Sequence, residues 1–333
     1  MRSTRLLVTA VRRFLGCLCL VMGVLCAGVT AAQETSPLAL LQAQDVRLAQ
    51  IAERQLAANA QLCPGLMPLT GMILHSRDQY SAPAIDPLFA NGAIAVAALV
   101  PGGVAEQAGV RAGDGVLSVN GIRLALLEPG EGAPLRDAVF ELLADQPMEE
   151  PLQLVLSREG EQLQVVLDAP PGCRALVEIV TGGGLMGRSD GRVIQISFDL
   201  ASLLADDELA VIFAHELSHM VLDHRARLVA AGVSKGMLGE FGRNRRLNRQ
   251  VEVEADRMSV HLLANAGYEA EIAPRFWKSA HGARAGGGLM RSAIYPSPVS
   301  RADLIATEVA NYIPNGRGPS WPGHLLALRH DPF

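Results

Sequence analysis

His215-Glu216-Leu217-Ser218-His219 sets two imidazoles four residues apart, with a carboxylate directly after the first. On a helix, positions four apart share a face, so both rings can be offered to one divalent ion while Glu216 stands beside that ion's water. Zinc suits such a pair: its catalytic sites take imidazole nitrogen and carboxylate oxygen and keep one position open. A helix is announced just upstream, with Asp206 or Asp207 as N-cap and Glu208 in the first turn, where a carboxylate meets the positive end of the dipole. Further on, Glu252-Val253-Glu254-Ala255-Asp256 puts Glu252 and Asp256 four apart on one face of a second helical stretch. Two histidines and one such glutamate make a standard catalytic zinc set.

These residues resemble the HtpX and BepA type of zinc metallopeptidase, related to the CAAX prenyl endopeptidases. That family joins HExxH to a later Glu-x-x-x-Asp around Glu-Ala-Asp-Arg, which stands here as Glu254-Ala255-Asp256-Arg257. The resemblance covers about residues 173–310 and the helix before Cys63. It implies one Zn²⁺ per chain held by His215, His219 and Glu252, Glu216 as general base, and Asp256 as a carboxylate orienting a ligand histidine. Glu254 is the competing third ligand, although it lies off the face of Asp256. The family then carries His-Pro-Ser-x-x-x-Arg, and this chain has Tyr295-Pro296-Ser297-Pro298-Val299-Ser300-Arg301. Tyrosine replaces the histidine, so a histidine-based inhibitory switch is not implied. The phenol of Tyr295 is expected to donate to the oxyanion of a tetrahedral intermediate, the alternative being an ordinary loop tyrosine. Arg301 is expected to pair with an acidic residue of the site. His224, His261, His281, His324 and His330 lack ligand spacing and read as surface or core histidines.

A second resemblance lies upstream. From Val100 the chain runs Pro-Gly-Gly-Val-Ala-Glu-Gln, then Ala108-Gly109-Val110-Arg111-Ala112-Gly113-Asp114-Gly115-Val116, then Val119-Asn120-Gly121. This is similar to a bacterial PDZ domain over about residues 66–170, with a helix near 135–144 and strands at 152–157 and 162–167. The resemblance implies strand addition of an extended peptide, with its terminal carboxylate at the Leu69-Thr70-Gly71-Met72 loop. A module that packs on its neighbour and binds nothing is the alternative.

Apolar residues between Leu38 and Leu56 fall at helical spacing, and two strands, 175–180 and 192–198, are expected to form a hairpin or ribbon. The fold expected is α+β: a mainly helical zincin-type domain with a small β-ribbon, interrupted by the small β-rich PDZ module with its two helices. The expected segments are a signal peptide at 1–32, an N-terminal helix at 33–65, the PDZ domain at 66–170 and the catalytic domain at 171–333.

Composition narrows the partners. With 333 residues, 49% hydrophobic and 19% charged, the chain excludes disorder, collagen-like repeats and coiled coil as its main architecture. Its net charge of −5 lacks the basic excess of a nucleic-acid binder. Arg2, Arg5, Arg12 and Arg13, an apolar run at 14–29 and Thr30-Ala31-Ala32 form the pattern of a secretory signal peptide cleaved near Ala32, an uncleaved anchor being the rival. The expected compartment is the periplasm of a Gram-negative bacterium. Cleavage leaves only Cys63 and Cys173, an even pair that suggests one disulfide, with two buried thiols as the alternative. No other apolar stretch is long and uncharged enough to span a membrane. The Arg243–Arg249 run reads as a solvated face, or as peripheral contact with an anionic membrane surface.

Together these features imply an exported zinc endopeptidase in envelope protein quality control. Its substrates would be polypeptides, misfolded or with exposed C-termini, lying along an edge strand near Arg192–Phe198. The alternative is a PDZ-containing binding or chaperone protein with a latent or inactive metal site.

Overall fold

The computed structural model describes residues 36–233, 242–286, 295–313, 315–331 and 333. The expected signal peptide lies outside them. Helix α1 (Pro37–Ala58) buries Leu48, Ile51, Ala52, Gln55 and Leu56. Their i, i+3, i+4, i+7, i+8 spacing makes one stripe that packs into the larger of two hydrophobic cores.

The chain then builds β1 (Leu66–Pro68), β2 (Met72–Ser76), β3 (Ile94–Leu99), α2 (Val104–Gln107), β4 (Gly115–Val119), β5 (Ile122–Arg123), α3 (Leu135–Ala144), β6 (Leu152–Arg158), β7 (Glu161–Leu167) and β8 (Pro171–Cys173). One antiparallel sheet runs in the order β2-β3-β4-β6-β7, with β5 added to β4, so β2 is an edge. Leu152, Leu154 and Leu156 alternate into a second core with Val96, Val116 and Val139, following the two-residue period of a strand. β1 and β8 pair with each other outside this sheet, Leu66 opposite Cys173, where the chain enters and leaves the module. The expected disulfide Cys63–Cys173 closes the same junction.

The remainder comprises β9 (Leu176–Val180), β10 (Gly187–Ser189), β11 (Val193–Ser197), α4 (Phe198–Leu203), α5 (Asp206–Val221), α6 (His224–Ala230), α7 (Gly242–Asn265), α8 (Ile272–Lys278), α9 (Ala280–Ala285), α10 (Pro298–Tyr312) and α11 (Gly323–Leu326). The architecture is α+β, as expected. Strands β9 and β11 do not form the expected hairpin; they run parallel, Leu176 opposite Val193. The physical reason lies in the connection. Gly182, Gly183 and Gly184 all take positive φ, and the chain turns to lay β10 antiparallel on the far side of β11. β11 is therefore central and has no free edge, so the edge strand expected near Arg192–Phe198 is not an edge; the edges of this sheet are β10 and β9.

Helix α5 is buried on every side from Leu209 to Ser218, as a helix at the centre of a domain must be. Its N-cap is Ala205 rather than Asp206 or Asp207, because Glu208 reaches back to accept the Ala205 N–H at 3.0 Å. Among the described residues, no helix is long and apolar enough to cross a membrane.

Candidate metal centre

Helices α5 and α7 pack side by side, and their facing surfaces bring His215, His219 and Glu252 together. Nε2 of His215 lies 3.2 Å from Glu252 Oε2 and 3.3 Å from Nε2 of His219, and Glu252 Oε1 is 3.8 Å from the latter. One ligand atom from each of the three lies within 4.8 Å of the others. Glu216 lines the same cavity, of about 460 Å³, with Gly187, Tyr295 and Arg301.

The outer nitrogens settle how the rings are held. His215 Nδ1 lies 3.1 Å from Asp256 Oδ1 and 3.1 Å from Arg301 Nη2, and in the tautomer protonated at Nδ1 it donates to Asp256. Asp256 is held in turn by Arg301, whose Nε and Nη2 fork onto its two oxygens at 2.8 and 2.5 Å. Trp277 of α8 covers the guanidinium, 3.4 Å from ring centroid to Cζ. Ser297 caps α10, its hydroxyl accepting the Ser300 N–H at 3.0 Å, and Pro298 occupies the first turn, so the Pro-Ser-Pro run starts the helix that carries Arg301. The pairing expected of Arg301 is thus with Asp256.

His219 is held by a group that sequence reasoning set aside. Its Nδ1 lies 2.9 Å from Nδ1 of His224, whose Nε2 is 3.1 Å from Glu254 Oε2. Arg227 and Gln250 donate to Glu254 at 2.7 and 2.8 Å. His224 is 2% exposed, so of the surface and core readings the core one holds. It reaches back because Asp223 takes a left-handed conformation, φ 51°, between α5 and α6. Glu254 faces His224 and Arg227, away from the three converging ligand atoms, and so is not placed as the competing ligand.

When both Nδ1–H groups point outward, the Nε2 atoms of His215 and His219 face each other at 3.3 Å beside Glu252, and a bound cation would replace the proton that His215 Nε2 otherwise shares with that carboxylate. Such an array fits a cation at its centre. The electrostatics agree. Burial opposes the His215 cation, yet hydrogen bonds to Asp256 and Glu252 outweigh it and raise the ring to about 9, the mark of a site that attracts positive charge. Burial pushes His219 well down. Glu216 is raised to about 7, by burial first and also by the neighbouring Glu252. A carboxyl near neutrality can take and return a proton.

Gly187 and a cluster around Glu308 escaped the sequence. A Cβ on Gly187 would stand 3.1 Å from Glu216 Oε1 and 3.0 Å from Ile212 Cγ2, so any larger residue would press on the Glu216 carboxylate and glycine lets edge strand β10 pass without that crowding. His261 and His324, read as surface or core histidines, converge on Glu308 at 3.1 and 2.7 Å. Arg257 also donates to Glu308, at 2.7 Å, and this donor-saturated cluster ties α7, α10 and α11 together. Tyr295 stands at the mouth of the cavity, 41% exposed. The Leu69–Met72 loop lies apart from this centre, at the entrance to β2.

Comparison with known proteins matches residues 185–244 to peptidase family M48 and residues 96–131 to the PDZ domain. The mitochondrial metalloendopeptidase OMA1 of Arabidopsis thaliana is 28% identical over 138 residues, covering 35% of this chain and 27% of that protein. The chain therefore aligns with about a quarter of the length of this relative. No solved structure matches. The M48 match contains the His215–His219 helix but ends before Glu252.

Proposed function

We propose that the chain is an exported zinc-dependent endopeptidase that acts on misfolded or C-terminally exposed polypeptides of the cell envelope. The observation that carries this reading is the convergence of two imidazole nitrogens and one carboxylate beside Glu216, at the foot of an open edge strand. Zn²⁺ suits two histidines and a glutamate with a vacant fourth position, and when bound it supplies a Lewis acid for a peptide carbonyl and for water. The similarity to M48 peptidases and to a metalloendopeptidase supports the same reaction.

The chain's own residues do the rest. A substrate extends along β10, adding to its free edge and passing over Gly187. Glu216 takes a proton from the attacking water and delivers one to the leaving amine nitrogen, a double role that its near-neutral carboxyl permits. Tyr295 donates from the mouth of the cavity to the developing oxyanion. Asp256 with Arg301, and His224 with Glu254, keep the two ligand rings from turning. Export is supported by the signal-like N-terminus and by the Cys63–Cys173 disulfide, which persists in an oxidising compartment. The PDZ segment gathers substrate chains.

Casein digestion by the purified protein, with 1,10-phenanthroline added and zinc then restored, tests the reading. Cleavage that stops with chelator and returns with zinc is expected. Client-holding without cleavage under any condition would favour a binding protein instead.

A further inference from the structure

Helix α1 carries two half-buried carboxylates, and each accepts a main-chain amide at an unpaired edge. Asp45 Oδ1 takes the Ile179 N–H of β9, the outer strand of its sheet, at 3.1 Å. Glu53 Oε1 takes the Gly71 N–H at 2.9 Å, in the loop that leads into β2, the outer strand of the PDZ sheet. The next amide, Met72 N–H, is taken by Thr70 Oγ1 at 3.3 Å. Burial raises both α1 carboxyls, Asp45 to about 6. Helix α1 holds them there against that cost.

Between the two edges lies a cavity of about 530 Å³, walled by Leu69 and Leu74, by Phe140 and Leu143 of α3, and by Val177 and Val180 of β9. Glu53 is part of the same wall. Helix α3 is tied to the β9–β11 layer by Arg136–Glu178 at 2.6 Å and Arg192–Glu141 at 2.7 Å. The result is an apolar groove with an amide donor at one end, and a carboxylate of the same chain already bound to that donor.

We propose that Glu53 is an internal competitor for this groove: a polypeptide's apolar C-terminal end enters between β2, α3 and β9, and its α-carboxylate displaces Glu53 from the Gly71 amide. This rests on the recruitment reading above and adds what holds the groove shut. Helix α1 is fastened to the 198–265 segment by Arg47 to Leu204 O at 2.6 Å and Gln55 to Ala210 O at 3.1 Å, and Asn59, just after it, donates to Leu262 O at 3.1 Å. Because a binding site that is open only part of the time loses affinity in proportion, removing the competitor tightens binding. One charge-assisted hydrogen bond sets the scale at roughly tenfold.

The test uses the full exported chain carrying Glu216→Gln to prevent cleavage, with Glu53 intact, Glu53→Ala or Glu53→Gln. Fluorescence polarisation follows a labelled decapeptide ending in Leu-Val, as the free acid and as its C-terminal amide. The expected result is a Kd for the acid lowered about tenfold by Glu53→Ala, with no gain for the amide. Glu53→Gln keeps a neutral acceptor for Gly71 and gives an intermediate gain, which serves if the alanine variant folds poorly. Equal Kd values for all three proteins would overturn the competitor and leave recruitment standing. A gain shared by the amide would overturn carboxylate exchange, and no binding by any of the three would overturn the proposal and the recruitment reading together.

Discussion

Replacing His224 with alanine isolates the support of one proposed metal ligand, His219, without touching the proposed ligands themselves. In the wild-type chain His219 needs its Nδ1 proton accepted if Nε2 is to face a metal, and His224 Nδ1 is the acceptor at 2.9 Å. His224 can accept there only as the tautomer protonated on Nε2, which Glu254 fixes at 3.1 Å. Alanine leaves the His219 N–H without its acceptor in a buried place, which costs about 1–3 kcal/mol. Loss of an orienting partner costs about 10–100-fold in metal affinity, or about 1.4–2.7 kcal/mol, so two independent estimates agree. Zinc Kd is measured by competition with a chromophoric chelator, with circular dichroism to verify the fold. The control is His281→Ala, whose partner Glu208 lies 2.8 Å away and outside the metal centre; it should leave Kd unchanged. A folded His224→Ala protein with the wild-type zinc Kd would refute the reasoning and show that the helix alone fixes His219.

Gly187→Val should leave zinc binding intact and lower kcat/KM for a casein-derived peptide by at least about tenfold, since the new side chain enters the space of Glu216 and Ile212; wild-type turnover would exclude the close approach of β10. Asp45 is raised from 3.8 to about 6, by burial first, so its cost to folding is absent well below pH 3.8 and grows as pH rises through 6. Asp45→Asn should therefore add about 1–3 kcal/mol in urea unfolding at pH 7 and almost nothing at pH 3, the asparagine oxygen still accepting from Ile179. A gain equal at both pH values would contradict this cause. Cys63→Ser with Cys173→Ser opens a loop of 110 residues and should cost about 2–5 kcal/mol.

The ligand helix was legible because an i, i+4 histidine pair survives any tertiary context, and Glu252 with Asp256 repeats that spacing. The disulfide was legible because the expected removal of a leader leaves two cysteines. The role of His224 was not, since five residues along an unbroken helix would point it away from His219; a left-handed Asp223 between α5 and α6 changes that, and aspartate before histidine is a weak signal for it. Gly187 was hidden because nothing in a three-residue strand announces which neighbour it passes. The parallel pairing of β9 with β11 depends on where a glycine-rich connection lands, which strand periodicity does not encode. Glu53 sits on the edge of an amphipathic helix like any solvated acid, and only the packed PDZ loop reveals the amide it holds. The Glu308 cluster draws on three separate helices, so no local spacing exposes it.

The central claim is a single zinc ion held by His215, His219 and Glu252 and used by Glu216. Its most direct test is metal analysis by mass spectrometry of the purified protein beside Glu252→Ala and Glu216→Gln, each assayed on casein. About one zinc per chain is expected in the wild type and in Glu216→Gln, with cleavage only in the former, and zinc largely lost in Glu252→Ala. Full zinc occupancy in Glu252→Ala, or cleavage that persists in Glu216→Gln, would contradict the claim.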